Sequence, residues 1–388
     1  MNREFDNHLS ARSGALSVSK IREIAELGFD QPNVIPLWFG EGAWPSAENI
    51  VSSAVASLEA GDHFYQPNSG KMVLREEVVS YTNRIYNASI DVSNVTVTAS
   101  GTQGLALVAQ AIISPGDRVV VLEPGWPNIS QTFEISGANI VTETLEVKDG
   151  HWHLDMSQLL SALTPETQAV VLNSPNNPTG WVMSIEEQST LLTHCRKYGI
   201  WIVSDDVYSR LYANGSAAPS FLSITNPDDL FISINSFSKA WSMTGWRLGW
   251  LIAPAQLESV LAMLTEFNIA CPPGFIQQAG VVALRDGEDR LQALQDQLGQ
   301  GYVLAASRLR KIRSVKFIES AGAFYCFFSV TGASDSMVLA RNILQETGVG
   351  LAPGIAFGPA GEGYLRLCYA QPEDVLIEAF DRLEAFID

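Results

Sequence analysis

The central part of the chain, residues 95–252, alternates short apolar runs with longer stretches whose apolar residues recur at helical spacing. Seven of the apolar runs have the length and β-branched content of buried strands: 95–98, 119–122, 140–142, 169–172, 200–203, 230–234 and 248–252. Runs that are apolar throughout and separated by helices are typical of a parallel sheet covered on both faces. The pattern therefore predicts an α/β fold with a mostly parallel seven-stranded sheet sandwiched by helices.

The pattern changes on both sides of this region. Beyond it, helical and β-like segments follow in the order 286–313, 315–318, 324–330, 337–346, 364–368 and 372–387. These segments indicate a smaller α+β domain, and we expect the first 45 residues, with a helix at 18–27, to pack with it. The sequence thus predicts a large domain at 46–285 and a small discontinuous domain built from both termini, at 1–45 and 286–388.

Composition limits the class of protein and its partners. Hydrophobic residues make up 46% of the 388 and charged residues 17%, as in folded globular chains. The net charge of −18 disfavours nucleic acid and anionic membranes as partners. No apolar run approaches the roughly 20 residues that span a bilayer. Because the four cysteines show no C-x-x-C pairing and the first residues show no secretory pattern, we expect a cytoplasmic protein with free thiols.

The strongest candidate for chemistry follows the sixth predicted strand. Ser236, Ser238 and Lys239 come at its carboxyl end, and Arg247 lies just before the seventh strand. Hydroxyls and a guanidinium bind phosphate well, and a lysine at the end of a buried strand can act as an amine nucleophile. A phosphate site beside a reactive amine suits pyridoxal phosphate, whose aldehyde forms a Schiff base with lysine. Taken alone, Lys239 would be interpreted more simply as a solvated surface lysine.

The carboxyl ends of other predicted strands carry groups suited to the same cofactor. They are Gly101, Thr102, Gln103, Trp126, Asn177, Asp205 and Tyr208. The first three open a helix, whose N–H groups and dipole favour phosphate. An aromatic ring can stack on a pyridine, a carboxylate can keep its nitrogen protonated, and an amide and a phenol can bind its 3-oxygen. Each residue alone has a simpler interpretation as a cap, turn or core residue, but together they predict one pocket.

These motifs together resemble those of the class I and II aminotransferases, the pyridoxal-phosphate enzymes of fold type I in the aspartate aminotransferase superfamily. The resemblance covers nearly the whole chain, and its most specific element is the Ser-x-Ser-Lys motif with Arg247. It implies that Lys239 carries the cofactor and acts as the catalytic base. It also implies a phosphate site formed by Ser236, Ser238, Arg247, Gly101, Thr102 and Gln103. The implied contacts of the ring are Asp205 at the nitrogen, Tyr208 and Asn177 at the 3-oxygen, and Trp126 on its face.

The same resemblance implies the reaction and the assembly. An amino group would move between an L-amino acid and a 2-oxo acid by a ping-pong mechanism. Arg366 matches the arginine that binds the substrate α-carboxylate, where Gly40 and Asn177 would also contact the substrate. Tyr65 matches a tyrosine that reaches the phosphate bound by the neighbouring subunit. The resemblance therefore implies a homodimer with shared active sites.

Two alternatives stay open for the chemistry. The same scaffold and cofactor would serve a β-eliminating C–S lyase, and they would also serve a regulatory protein that binds the cofactor without catalysis. A metal enzyme is not expected. His151 and His153 alternate as metal ligands can, but no cysteine or carboxylate set surrounds them, so a solvated strand end is the better interpretation.

The substrate side chain is not identified by the sequence. A dicarboxylate would need a second cation, and the candidates are Arg12, Lys20 and Arg22. An apolar or aromatic side chain would need an apolar pocket, and the candidates are Phe39, Trp44 and Phe357, which could equally belong to the core.

Overall fold

The computed structural model describes residue 14 and residues 16–387. The strands of this part of the chain are β1 (Ile35–Pro36), β2 (Val95–Thr98), β3 (Arg118–Glu123), β4 (Asn139–Thr144), β5 (Glu146–Lys148), β6 (His151–His153), β7 (Thr167–Asn173), β8 (Trp201–Asp205), β9 (Phe231–Ser236), β10 (Gly249–Ile252), β11 (Val315–Lys316), β12 (Tyr325–Val330), β13 (Val349–Gly350), β14 (Ala352–Pro353) and β15 (Tyr364–Cys368).

The helices in the same part of the chain connect and cover these strands. They are α1 (Lys20–Gly28), α2 (Glu48–Glu59), α3 (Met72–Tyr86), α4 (Gly101–Ile112), α5 (Pro127–Ile135), α6 (Met156–Ala162), α7 (Ile185–Tyr198), α8 (Glu258–Ile269), α9 (Gly274–Asp286), α10 (Glu288–Leu309), α11 (Ser336–Thr347) and α12 (Glu373–Ile387). The apolar pattern did not predict α8 and α9, which separate the large sheet from the long helix α10.

The large sheet has seven strands in the order β2-β10-β9-β8-β7-β3-β4. The five strands from β9 to β4 pair in parallel, whereas β10 runs antiparallel to both of its neighbours, β2 and β9. The prediction of a mostly parallel seven-stranded sheet is therefore confirmed. The carboxyl ends of the parallel strands meet at one edge, which is where α/β sheets of this kind bind ligands.

Both faces of the large sheet are buried. In β3, Val120 and Leu122 belong to one hydrophobic cluster, whereas Val119 and Val121 belong to the other. Successive side chains of a strand point to opposite faces, so the two clusters are the two helix-covered layers. This explains why the sequence of the strands is apolar throughout and does not alternate.

Local signals in the sequence fix the ends of the helices beside the site. Ser184 and Glu187 form the capping box that begins α7, and Gly199, with φ of 70°, ends it. Ser100 caps α4 by accepting a hydrogen bond from the backbone N–H of Gln103 at 3.0 Å. This cap uses the N–H group of Gln103, so the N–H groups of Gly101 and Thr102 at the start of α4 are not part of it.

The rest of the chain forms a second layer of structure beside this edge. Strands β11, β12, β15 and β14 make an antiparallel sheet, and β1 pairs in parallel with β13 through Ile35 and Val349. The N-terminal segment therefore packs against the C-terminal region. The division into domains at 45/46 and 285/286 stays a prediction.

We expect Gly249→Ala to lower the free energy of unfolding by about 1–3 kcal/mol, the usual range for overpacking. A Cβ on Gly249 would lie 2.6 Å from the carbonyl oxygen of Asn235 and 2.9 Å from the backbone nitrogen of Gly101. Urea denaturation measures the change. Gly299→Ala in α10 is the matched control, because its Cβ would meet nothing within 4 Å. Equal stability of the two variants would contradict this account of the packing at β10.

Candidate active site

A cavity of about 260 Å³ lies where the carboxyl ends of β7, β8 and β9 meet segments from both ends of the chain. It is lined by most of the residues that the sequence singled out, namely Gly40, Gly101, Thr102, Trp126, Asn177, Asp205, Tyr208, Ser236, Ser238, Lys239, Arg247 and Arg366. The remaining lining residues are Ile21, Phe39, Asn173, Val207, Thr244 and Tyr325. Residues spread over more than 300 positions of the sequence thus meet in one site.

One end of the cavity gathers hydroxyls, backbone N–H groups and a guanidinium. The Oγ of Ser236 donates to the Oγ of Ser238 at 2.9 Å and accepts from the backbone N–H of Ser238 at 3.1 Å. The start of α4 packs against them, since a Cβ on Gly101 would lie 3.5 Å from the Cβ of Ser236. Arg247 has left-handed backbone, with φ of 56°, and donates to the carbonyl of Thr244 at 2.6 Å. This set of donors matches what a phosphate dianion accepts.

Two of the residues predicted to bind the cofactor, Gln103 and Tyr65, are not among the lining residues of the cavity. The side chain of Gln103 accepts from the backbone N–H of Ala99 at 2.5 Å and donates to Asn268 at 2.9 Å. Its own backbone N–H is used by the Ser100 cap. Tyr65 is 89% exposed on the surface of this single chain.

Lys239 extends into the cavity from the segment after β9. Its Nζ donates to the carbonyl oxygen of Gly40 and lies 5.9 Å from the ring centre of Tyr208. Removal from bulk water lowers the pKa of this amine to about 8, and the nearby cations Arg366 and Arg247 act in the same direction. A substantial fraction of the amine is therefore neutral, and hence nucleophilic, near neutral pH.

Asp205 ends β8 and is almost completely buried. Its carboxylate accepts one hydrogen bond, from the backbone N–H of Val207 at 3.2 Å. The pKa of Asp205 is raised to about 7, mainly by burial and to a lesser extent by the charge of Asp206, while the hydrogen bond from Val207 and the charge of Lys239 act against this rise. A cation placed against this carboxylate would stabilise its charged form.

Arg366 lies in the middle of β15, where it is 2% exposed. It donates to Oδ1 of Asn177 at 2.7 Å and to the backbone carbonyl of Trp38, and its Nε has no hydrogen-bond partner in the described part of the chain. The rings of Tyr325 and Phe357 lie 4.4 Å and 4.8 Å from the guanidinium carbon. These contacts fix the guanidinium without giving it an anion.

Sequence reasoning did not single out Tyr325, Phe324 or the carbonyl of Trp38. The hydroxyl of Tyr325 lies 2.6 Å from that of Tyr208, and the ring centre of Phe324 lies 6.0 Å from Nζ of Lys239. The pairing of β12 with β15, which aligns Phe327 with Arg366, brings Tyr325 and the adjoining Phe324 to the site. Trp38 comes two residues after β1, which pairs with β13. No local motif marks them, so only knowledge of the strand pairing would have found them.

The candidates for contacting a substrate side chain separate in the structure. Phe39 lines the cavity together with Ile21, whereas Trp44 lines a neighbouring cavity and Phe357 packs on Arg366. Of the candidate cations, Arg12 lies outside the described residues. Lys20 and Arg22 are not among the lining residues, and the Arg22 guanidinium lies 6.0 Å from the ring centre of Phe39.

Neither a metal site nor a membrane span is found in residues 14 and 16–387. No group of three or more histidine, cysteine or acidic side chains is arranged there to hold a metal ion. His151 and His153 are exposed on β6, with Trp152 buried between them. None of the described helices combines the length and the apolar character needed to cross a bilayer.

Residues 36–383 match the family described as aminotransferase class I and II. The chain is 33% identical to an aspartate aminotransferase of Pyrococcus horikoshii over 374 residues, which are 95% of each protein. It is also 30% identical to a probable N-acetyl-LL-diaminopimelate aminotransferase of Bacillus subtilis, over 99% of this chain and 96% of that protein.

Solved structures give the same result. A mutant of the Thermus thermophilus aspartate aminotransferase superposes with a TM-score of 0.91 at 28% identity, covering 97% of this chain and 99% of the other. An alanine aminotransferase of Pyrococcus furiosus also reaches 0.91 at 25% identity, covering 98% and 99%.

The chain therefore belongs to the class I and II aminotransferase family. It is a pyridoxal-phosphate-dependent transaminase of fold type I, and it moves an amino group between an amino acid and a 2-oxo acid. The predictions of family, fold class, reaction and cofactor are confirmed. Nothing in the comparisons supports the lyase or the regulatory alternative.

Attachment of pyridoxal phosphate to the apo-protein should accelerate through a midpoint near pH 8, the pKa of Lys239. Only the neutral amine attacks an aldehyde, so the rate falls as the pH drops below this value. Stopped-flow absorption at a series of pH values measures the rate. Nα-acetyl-lysine amide, with a pKa of about 10.4, is the control. If the rate of cofactor attachment to the protein still rose tenfold per pH unit above about pH 9, the lowered pKa of Lys239 would be contradicted.

Proposed function

We propose that this aminotransferase binds the α-carboxylate of its substrates at Arg366 and moves the α-proton with Lys239. The observation that carries the proposal is one cavity lined both by a buried guanidinium, that of Arg366, and by the half-buried amine of Lys239. The hydrogen-bond partners of Arg366 are a neutral amide and a neutral carbonyl. Because a buried cation without an anion is costly, a substrate carboxylate at this position supplies the missing charge. Every amino acid and 2-oxo acid carries that group.

The donors of the cavity fit the cofactor. Ser236, Ser238, Arg247 and the first turn of α4 would hold the phosphate, since they combine hydroxyls, N–H groups and a permanent positive charge. A Cβ on Gly101 would lie within 3.2 Å of Val207, so the glycine keeps this turn close to the strand ends. Thr102 lines the same end of the cavity.

The other side chains suit the ring. A protonated pyridine nitrogen against Asp205 would lower the raised pKa of that carboxyl by supplying a cation. Tyr208 would donate its hydroxyl proton to the 3-oxygen. Oδ1 of Asn177 is taken by Arg366, which leaves the amide N–H groups of Asn177 as donors to the same oxygen. Trp126 would cover one face of the ring.

When bound, pyridoxal phosphate supplies a ring that accepts electrons from the substrate α-carbon. The chain supplies the proton transfer. The ε-amine of Lys239 would take the proton from the substrate α-carbon and deliver it to the exocyclic carbon of the cofactor within the same half-reaction. The reverse half-reaction would move the proton back to the α-carbon. The amine's pKa of about 8 suits this work near neutral pH, where both forms of the amine are present. The carbonyl of Gly40 orients the amine from one side.

We infer that the preferred amino acids carry apolar or aromatic side chains. The cations that line the cavity are Lys239, Arg247 and Arg366, and the roles above use all three. Ile21, Phe39 and Trp126 provide apolar lining for the rest of the substrate. Among the described residues that line the cavity, a distal carboxylate would find no further cation as a partner, at a cost in binding free energy.

We also infer a homodimer with shared active sites. Phe64, Tyr65 and Phe267 are 75%, 89% and 87% exposed, which is unusual for neighbouring large apolar side chains. They are held near one another because Asn68 donates to the carbonyl of Ala270, just beyond α8, at 2.8 Å. Three apolar side chains of α2, Val51, Val55 and Leu58, are exposed as well and would add to this surface. A second copy would cover it, and Tyr65 would reach the phosphate in that copy.

We propose a cytoplasmic location because the cysteine thiols are free. All four cysteines are free in the structure, and three of them are buried. Free thiols are the usual state in a reducing compartment.

Arg366→Ala should raise KM for amino acids and 2-oxo acids by on the order of 10²-fold, because charge-assisted hydrogen bonds to the carboxylate are lost. Arg366→Lys, which keeps the charge without the two-pronged geometry, should lie between this variant and the wild type. Half-reaction kinetics measure KM, and retained cofactor absorption shows that the site has folded. Arg341→Ala is the control, because this half-exposed arginine on α11 pairs with Glu23 and does not line the cavity. Unchanged KM in Arg366→Ala would remove this residue from the site.

The ratio of kcat/KM for phenylalanine over aspartate should be on the order of 10², since the charged side chain finds no free cation among the described residues of the cavity. Phe39→Ala should lower kcat/KM for phenylalanine and leave that for alanine nearly unchanged. Single-turnover spectra with the three amino acids measure these values. A preference for aspartate over phenylalanine would overturn the inference that the substrate side chain is apolar. Reaction with alanine alone would still be consistent with Arg366 as the binding site of the α-carboxylate.

Sedimentation should give a mass of twice 42.2 kDa. Phe267→Asp should shift the protein toward the monomer by placing a charge in the apolar surface. Val303→Asp is the control, because Val303 is 68% exposed on α10, away from this surface. Tyr65→Phe should weaken cofactor binding without dissociating the dimer. A monomeric wild-type protein with full activity would contradict the shared site.

A further inference from the structure

Tyr325 contacts three functional parts of the site at once. It begins β12 and is fully buried. Its hydroxyl lies 2.6 Å from the hydroxyl of Tyr208, and its ring lies 4.4 Å from the guanidinium carbon of Arg366. The hydroxyl also packs against Gly40, where a Cβ would approach it to 1.9 Å. The backbone at Gly40 in turn accepts the hydrogen bond of Lys239.

The direction of the hydrogen bond between the two phenols follows from the number of protons. Each hydroxyl has one proton to donate. If Tyr208 donates its proton to the 3-oxygen of the cofactor, it can only accept from Tyr325. Among the described residues, the hydroxyl of Tyr325 forms a hydrogen bond with one group, the hydroxyl of Tyr208. The proton of Tyr325 therefore points toward Tyr208, and that of Tyr208 points onward into the cavity.

Two hydrogen bonds in series strengthen each other. A phenol that accepts a hydrogen bond becomes a better donor, because its own O–H is polarised. Burial makes this effect larger than it would be in water, and both phenols are buried. Burial is also the main cause of the raised pKa of both hydroxyls, so each keeps its proton over the working pH range.

We propose that Tyr325 is a positioning residue with two separable parts. Its hydroxyl donates to Tyr208 and so makes Tyr208 a stronger donor to the ring oxygen. Its ring holds Arg366 in the orientation that receives the substrate carboxylate. The first part rests on the proposed role of Tyr208, and the second rests on the proposed role of Arg366.

The hydroxyl is tested by the pH midpoint of the visible absorption change of the bound cofactor. A hydrogen bond to the ring oxygen favours its anionic form, and the proton on the neighbouring lysine nitrogen is then held less tightly. Tyr325→Phe removes the support of this hydrogen bond, so the midpoint should rise, by about 0.3–1 pH unit. The charged and titratable groups that face the two phenols, Asp205, Lys239, Arg366 and Cys368, are the same in both proteins.

A double substitution tests whether Tyr325 acts through Tyr208. In a Tyr208→Phe protein, the further change Tyr325→Phe should leave the midpoint where it is, because the acceptor is already gone. Tyr369→Phe is the matched control, since it removes another buried hydroxyl, which donates to the carbonyl of Ala323 at 3.2 Å outside the cavity. It should not move the midpoint. An unmoved midpoint in Tyr325→Phe, or an equal shift in both backgrounds, would overturn the role of the hydroxyl.

The ring is tested by kinetics. Tyr325→Phe keeps the aromatic face on Arg366, so KM should change less than about threefold, whereas Tyr325→Leu should raise KM about fivefold or more. Equal KM in Tyr325→Phe and Tyr325→Leu would overturn the role of the ring. If the leucine variant does not fold, the pH midpoint of Tyr325→Phe still decides the role of the hydroxyl. Absence of any cofactor absorption in the wild type would count against the proposed function itself, and this is distinguishable from failure of the Tyr325 proposal.

Discussion

One short segment, residues 38–40, holds both cationic groups on which the site depends. The carbonyl of Trp38 accepts from Arg366, and the carbonyl of Gly40 accepts from Lys239. Carbonyl dipoles and aromatic faces orient a buried cation, but they do not neutralise it. The cavity therefore keeps a surplus of positive charge that anions offset, within a chain whose net charge is −18. A phosphate at one end and a carboxylate at the other are the anions that fit.

The fold meets this constraint by joining two sheets at the cavity. The large sheet contributes Asp205 and the segment of Lys239, and the antiparallel sheet contributes Tyr325 and Arg366. The segment at 38–40 lies between them and touches both. The distance between the amine of Lys239 and the guanidinium of Arg366 is thus set by how the two sheets pack against each other. A small movement of one sheet relative to the other would therefore change the fit of the substrate more than the binding of the cofactor.

Much of this could be predicted from the sequence, for a local reason. Each parallel strand ends in its own polar motif, so Asp205 or Ser238 can be found without knowing the fold, and the sheet then brings them together. What could not be predicted depends on contacts between distant segments. Tyr325 enters through the pairing of β12 with β15, and the carbonyl of Trp38 follows β1, which pairs with β13. The antiparallel direction of β10 leaves no mark on its apolar sequence. The helices α8 and α9, which fall at the end of the predicted large domain, were not predicted.

The account depends most on Lys239 as the amine that holds the cofactor. Borohydride reduction of the holoprotein, followed by proteolysis and mass spectrometry of the labelled peptide, tests this directly. The account predicts a single labelled peptide with the cofactor fixed on Lys239, and no label in a Lys239→Ala protein. Label on another lysine, or a Lys239→Ala protein that transaminates at the wild-type rate, would contradict it.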